Sequence, residues 1–296
     1  MRIKKVMRIS PKLSAPSVLM IGFVLGLAAT LGAVPLDKKE TFKTARNPRI
    51  MIESAVSGRV VVQGWDKQEA FVSVESGSDR LEVNIEKLPP EGPTDRLLIS
   101  VRPTAGAADD KADLLLRIPS EVQLEIVKQR KGPVNVEMLW GDISVQTVSG
   151  NVTLTDVGGH LALRSMSGDI HVIRPTGRVE VKNVTGNINF KWPESSRIYA
   201  ETATGRISYE GDFSLRGNYR FVSHSGDIEV TCPGSTAFNL QASTVRGRFE
   251  GGEFSAGSPR LGQRTSMSNF VGSQRVGNAL VQLSTFSGTI RIRRQQ

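Results

Sequence analysis

Three chemically capable side chains recur at one interval: Asp142, His160 and Arg178 stand eighteen residues apart. Stacked strands would bring this acid, imidazole and guanidinium within ~5 Å of each other. Such a trio makes a small charged site. A second series at the same spacing, Asn151, Asp169 and Asn187, continues through Arg206 to Asp227. Glycan cleavage on a strand scaffold needs paired carboxylates or a calcium cluster, usually with a basic partner. In the second series Asp169 lies between two amides, and Asp227 is three coils away, ~14 Å. That series reads as a ladder of turn residues. The first trio also reads as surface turn residues. Asp142, Asp169, His160 and Arg178 are the candidates should the chain cleave a glycan. His171 and His224 stand alone and are expected on outward faces. No nucleophile with a base, phosphate loop before a helix or zinc set is present in the sequence. No catalytic, cofactor-binding or metal-ligating residue is assigned, and no cofactor is expected.

The element that positions these residues is a repeat. Glycine returns every nine residues at Gly132, Gly141, Gly150, Gly159, Gly168, Gly177 and Gly186. Two residues after each glycine stands an apolar side chain (Val134, Ile143, Val152, Leu161, Ile170, Val179, Ile188), and four after stands another. That alternation puts both on one face of a strand. Seven after, Leu139, Val148, Val157, Met166, Pro175 and Val184 are expected to point inward again. The corners at 150, 168 and 186 carry Ser or Thr before the glycine and Asn or Asp after it, residues that favour turns. Two nine-residue units make one flattened coil, and stacked coils bury a continuous core. The fold class is therefore all-β, a single-stranded β-solenoid of about 18–21 residues per coil after an N-terminal signal or anchor helix.

Beyond Gly186 the corners lie at Gly205, Gly226, Gly247 and Gly288, in steps of 19, 21, 21 and 41. The last step reads as two coils, with SMSNF at 266–270 as a degenerate corner between them. The extra residues read as loops on one side, around Trp192-Pro193-Glu194 and Gly211–Asn218, where binding is expected. Residues 37–130 also alternate, less regularly, as opening coils or a cap, with a break at Pro103–Lys111; residues 131–296 are the regular solenoid. The C-terminal strand Thr289–Arg294 carries three arginines, which would protect an open edge and favour a monomer.

Residues 1–36 read as a targeting segment. The first twelve residues hold five cations and no acid, and Val18 to Val34 is uncharged and apolar. This is a secretory signal or signal anchor that leaves residue 37 onward outside the cytoplasm, periplasmic or at the cell surface. The formal net charge is +9, and the basic head accounts for five of it. The mildly basic remainder is no nucleic-acid footprint. Cys232, the one cysteine, has no partner for an internal disulfide and reads as a small buried hydrophobe.

Further likeness lies in SAVSGRVVVQGWDKQEAFVSV at 54–74, LLLRIPSEVQLEIV at 114–127 and the serial SGDI and SGNV corners. On these the chain resembles the bacterial "putative adhesin" domain of unknown function, over roughly residues 40–293. The resemblance implies a β-solenoid behind a signal peptide or anchor, envelope association, and no catalytic residues. The expected role is a noncatalytic structural or binding protein. Its partner would be cell-wall or surface polysaccharide or an envelope protein, with the membrane contacted through residues 18–34. The alternatives are a self-assembling scaffold, an envelope-stress sensor module, or a polysaccharide-cleaving β-helix enzyme.

Overall fold

A computed structural model describes residues 36–104, 110–251, 268–274 and 278–295. The expected leader at 18–34 lies outside the described residues. The described chain is all-β. Its first strands are β1 (Leu36–Ser54), β2 (Val60–Trp65), β3 (Glu69–Ser76), β4 (Leu81–Leu88), β5 (Thr94–Pro103), β6 (Ala112–Pro119) and β7 (Glu121–Lys128). Then follow β8 (Val134–Ser149), β9 (Val152–Ser167), β10 (Ile170–Ile173), β11 (Arg178–Thr185), β12 (Ile188–Lys191), β13 (Arg197–Thr204) and β14 (Ile207–Glu210). The last are β15 (Asn218–Ser225), β16 (Ile228–Cys232), β17 (Phe238–Thr244), β18 (Arg248–Glu250), β19 (Ser268–Gln274), β20 (Ala279–Ser287) and β21 (Thr289–Arg294).

The strands form two ladders that meet at corners, a solenoid-like arrangement. One ladder runs β4, β5, the second half of β1, β7, then the second halves of β8 and β9. It continues through β11, β13, β15, β20 and β17 to β19. The other runs from the first half of β1 through β3, β6, β2 and the first halves of β8 and β9. It continues through β10, β12, β14, β16 and β21 to β18. Val134, Val152, Ile170, Ile188, Ile207 and Ile228 stack in parallel register, in steps of 18, 18, 18, 19 and 21. All six are buried, because alternation turns every second side chain into the space between the ladders.

Glycine is required at the corners for two reasons. Gly168 has φ +116°, and a Cβ there would lie 2.5 Å from the Gly150 carbonyl oxygen of the coil beneath. The left-handed region disfavours L side chains, and the stacking leaves no room for one.

Both ends depart from sequence order. β20 and β21 insert between β15–β16 and β17–β18. The 41-residue step is therefore an outward coil, an antiparallel return through β19 and a coil tucked back inside. It is not two coils in line. At the other end the second half of β1 lies between β5 and β7, and β2 lies between β6 and β8. Thr289–Arg294 is consequently no edge. Arg291 sits between acids on both sides, Asp227 at 2.7 Å and Glu250 at 2.9 Å, and Arg293 meets Glu229 at 3.1 Å.

Of the two loops after Gly186, Trp192 and Glu194 are exposed as expected, and the 211–217 loop differs. Phe213 of the 211–217 loop is buried and stacks on Tyr209 at 4.8 Å between ring centroids. The Tyr219 hydroxyl donates to the Ser195 carbonyl and accepts from the Ser214 N–H, both at 2.8 Å. The added residues thus close over an enlarged aromatic interior, with Phe190, Phe221 and Phe238 also buried. They widen the coil to house rings.

Candidate binding groove

At the corner between β9 and β10, and at its counterparts, three successive positions divide the work. The first is inward and polar: Thr147, Ser165, Asn183, Thr202, Ser223 and Thr285 stack in register and are buried. Most direct a polar atom at a corner carbonyl. Asn183 Nδ2 donates to Gly168 O at 2.8 Å, Thr202 Oγ1 to Gly186 O at 3.4 Å and Thr285 Oγ1 to Gly226 O at 3.0 Å. The second position faces outward: Val148, Met166, Val184, Ala203, His224 and Phe286. The third is Ser or Thr at Ser149, Ser167, Thr185, Thr204, Ser225 and Ser287.

The expectation that Val148, Met166 and Val184 point inward is thus corrected; they are 44%, 59% and 51% exposed. The small polar residue before each takes the inward place, so the apolar residue turns out. Asn183 reaches Gly168 O and Ser165 reaches Ser167 O at 3.2 Å, while the Thr147 hydroxyl is buried without a partner among the described residues. Leu139, Val157 and Pro175, at the other corner, are buried as expected.

The outward stripe lines a groove of about 890 Å³ that crosses strand after strand, from Lys128 on β7 to Val245 just after β17. Its rim carries Arg164 and Lys182, neighbours in register on β9 and β11, and Glu201 on β13. Lys182 pairs with Glu180 at 3.1 Å, and Glu201 accepts the Tyr199 hydroxyl at 2.7 Å. At the far end His224 stacks flat on Phe286, centroids 5.1 Å apart, and Arg246 lies over the same ring at 5.4 Å. His224 faces outward as expected, but it does not stand alone. Sequence reasoning missed the groove, although its apolar residues recur at the repeat interval.

Lys128 closes the near end. It is 1% exposed, and its Nζ donates to the Val56 carbonyl at 3.0 Å. Burial pushes its pKa from 10.5 down to about 8, opposed by the charge of Asp113. Below pH 8 the folded and unfolded chains both carry this charge, and the burial cost is fully present. As pH rises from about 8 to 10.5 the folded chain has already lost the proton that the unfolded chain still holds, so stability increases. The Val56 carbonyl keeps a second donor, Ser54 Oγ at 3.3 Å. Lys128→Met is therefore expected to stabilise the fold at pH 7 by roughly 2 kcal/mol and to flatten the alkaline rise. Denaturant melts at pH 7 and pH 10 check this.

The charged trio assembles only in part. Asp142 and His160 are register partners, and their Oδ1 and Nδ1 atoms stand 3.9 Å apart, both side chains well exposed. Arg178 is the next register partner of His160. These residues occupy the outward face of the β8–β9–β11 ladder, away from the groove lining.

The second series is the expected ladder of turn residues, with a specific task. Asn151 Oδ1 accepts the Asp169 N–H at 3.1 Å, Asp169 Oδ1 the Asn187 N–H at 2.7 Å and Asn187 Oδ1 the Arg206 N–H at 3.0 Å. Asp227 Oδ1 does the same for Thr289 N–H at 2.8 Å. Each side chain caps the backbone of the next coil, so Asp169→Ala is expected to cost about 1 kcal/mol in a urea melt. His171 is half-buried beside Asn189, 3.4 Å away. Cys232 is buried, which pushes its thiol up to about 12.

A family model described as Toastrack DUF4097 matches residues 108–293. No curated protein matches the chain. A "putative adhesin" of Bacteroides fragilis is similar at 12% identity, over 87% of this chain and 97% of that one, with TM-score 0.48. A "putative cell adhesion protein" of Clostridium sporogenes is similar at 9% identity, over 88% and 100%, with TM-score 0.28. A "Putative lipid binding protein" of Parabacteroides distasonis is similar at 10% identity, over 88% and 97%, with TM-score 0.29. All three likenesses fall below a TM-score of 0.5. The fold description rests on this chain's own register and on the family match.

Proposed function

The chain belongs to the Toastrack DUF4097 family, and from that premise we propose that it is a noncatalytic, adhesin-like binding module of the bacterial envelope. In this reading the chain is a β-solenoid of 18–21 residues per coil, exported behind the segment at 18–34 and held at the membrane if that segment is retained. The observation that carries the binding role is the groove, where an apolar residue is exposed at the same corner of successive coils. A repeated site on a stiff stack suits an extended ligand that runs along the coils.

The binding role rests on the groove and not on the names of the similar structures. The alternative of end-to-end assembly is disfavoured by the outer strands of one ladder among the described residues. There the first half of β1 presents the charges of Asp37, Lys39 and Lys43, and β18 is only three residues long; the other ladder ends on β4 and β19. We therefore keep the monomer as the working state.

The test incubates the full chain with isolated cell wall and a panel of polysaccharides, scored for co-sedimentation and for released reducing ends. Binding without products supports this reading. Products would overturn it and make Asp142, His160 and Arg178 the first residues to replace.

A further inference from the structure

Resting on the groove as the binding site, we infer that its occupant is the hydrocarbon chain of a single long-chain anionic amphiphile, extracted from its source. Three observations point there. First, the floor offers little to a glycan or a peptide. Asn183, Thr202, Ser223 and Thr285 each give a donor to a corner carbonyl, and Asn183 Oδ1 and Thr147 Oγ1, unpartnered among the described residues, are themselves buried. A ligand rich in hydroxyls or amides would lose water hydrogen bonds there without replacement.

Second, the exposed stripe is aliphatic along most of its length. Val148, Met166, Val184 and Ala203 succeed one another on neighbouring coils. The one aromatic platform, Phe286, is covered by His224 on one side and neighboured by Arg246. Sugar rings need open aromatic faces, whereas an acyl chain needs a continuous apolar track. Lined by seven successive strands and by Val245 just after an eighth, the groove is ~34 Å long at the ladder spacing, enough for a long chain lying along the coil axis.

Third, the rim offers cations beside the track. Arg164 and Lys182 sit side by side in register beside Met166 and Val184; Lys182 is shared with Glu180 at 3.1 Å, and Glu201, which accepts the Tyr199 hydroxyl, is the acid on the same rim. A carboxylate or phosphate head would meet Arg164 directly and Lys182 in competition with Glu180, where the apolar track passes beneath them.

The test uses the full chain and displacement of a fluorescent fatty acid by oleate, by oleyl alcohol and by anionic phospholipid vesicles. Apolar leader binding is common to all variants and cancels in the comparison. Met166→Asp/Val184→Asp replaces two exposed residues, and far-UV circular dichroism verifies its fold. It is expected to weaken oleate binding by about tenfold or more. Arg164→Gln/Lys182→Gln is expected to weaken oleate about fivefold and leave oleyl alcohol unchanged. Vesicle flotation is expected to be the same for wild type and both variants.

Oleate binding unchanged in Met166→Asp/Val184→Asp overturns the inference. So does vesicle flotation that depends on the groove without oleate binding, which would make the occupant a bilayer surface. Failure of this inference is separable from failure of the proposed function. If cell-wall co-sedimentation falls in Met166→Asp/Val184→Asp while oleate does not bind, the groove stands as the site and the hydrocarbon assignment falls. If neither readout responds to the variant, both fall.

Discussion

Gly168→Ala is expected to destabilise the fold by about 3–4 kcal/mol, the sum of a left-handed backbone penalty and overpacking. The methyl would lie 2.5 Å from the Gly150 carbonyl oxygen and 2.7 Å from its carbon. Both are backbone atoms, and the Gly150 N–H is itself engaged with Ser167 O at 3.1 Å. Relief requires the two coils to part, which breaks the Asn151 and Asp169 caps on either side. Gly92 is the control: it has φ +80° with nothing within 4 Å of an added Cβ. Gly92→Ala should cost only about 1–2 kcal/mol, the backbone penalty alone. Urea midpoints for the two variants separate the contributions. Equal losses would mean that the stacked carbonyls yield easily and that the corners are looser than described.

Phe221→Ala is expected to cost about 4 kcal/mol. Phe221 is fully buried, with its ring 6.0 Å from Phe190 and 5.6 Å from Tyr209. Its removal leaves a cavity that the ladders on either side cannot close, since each is fixed by parallel pairing. The same hole would loosen Tyr209, which stacks on Phe213 and donates to the Asp212 carbonyl at 2.6 Å. The 211–217 loop should therefore become more open to proteolysis in this variant, whereas cleavage in the 132–186 coils should not change. A thermal melt gives the first quantity and limited trypsin digestion the second. A loss near 1 kcal/mol would mean that the aromatic interior has slack.

The repeat was legible because one glycine per corner satisfies two demands at once, positive φ and close stacking. The six-coil column from Val134 to Ile228 follows directly from it. The order of coils at the ends was not legible. A coil that returns inside its predecessor carries the same alternation as one that stacks outside it, so β20 and β21 read as outermost. The second corner was marked by Gly141, Gly159 and Gly177, but only in part. Three residues before these glycines Met138, Asp156 and Arg174, and eighteen further on Trp192, also have positive φ, between 49° and 55°. None of these four is a glycine, so this half of the bend has no compositional mark. The 211–217 loop read as outward because insertions usually are; its Phe213, followed by Tyr219 on β15, was the available hint that it fills an interior.

The groove was half legible. Val148, Met166 and Val184 were found by their spacing but assigned to the wrong side. Counting positions from the glycine gives the interval and leaves the direction of the corner open. The small polar residue just before each one takes the inward place, bonding a carbonyl at the corner in the case of Ser165 and Asn183. Asp142 and His160 were correctly brought together by the interval, and Arg178 joins the same ladder. Their exposure and the 3.9 Å gap leave them a surface pair.

The central claim, that envelope material is held along the groove, is tested most directly by site-specific photo-crosslinking. A photoreactive side chain replaces Val184 on the groove or, separately, His171 on the outward face of β10, and the full chain is irradiated with isolated envelope. The account predicts crosslinks to envelope material from position 184 and none above background from 171. Equal crosslinking from both positions, or crosslinking from 171 alone, would contradict it.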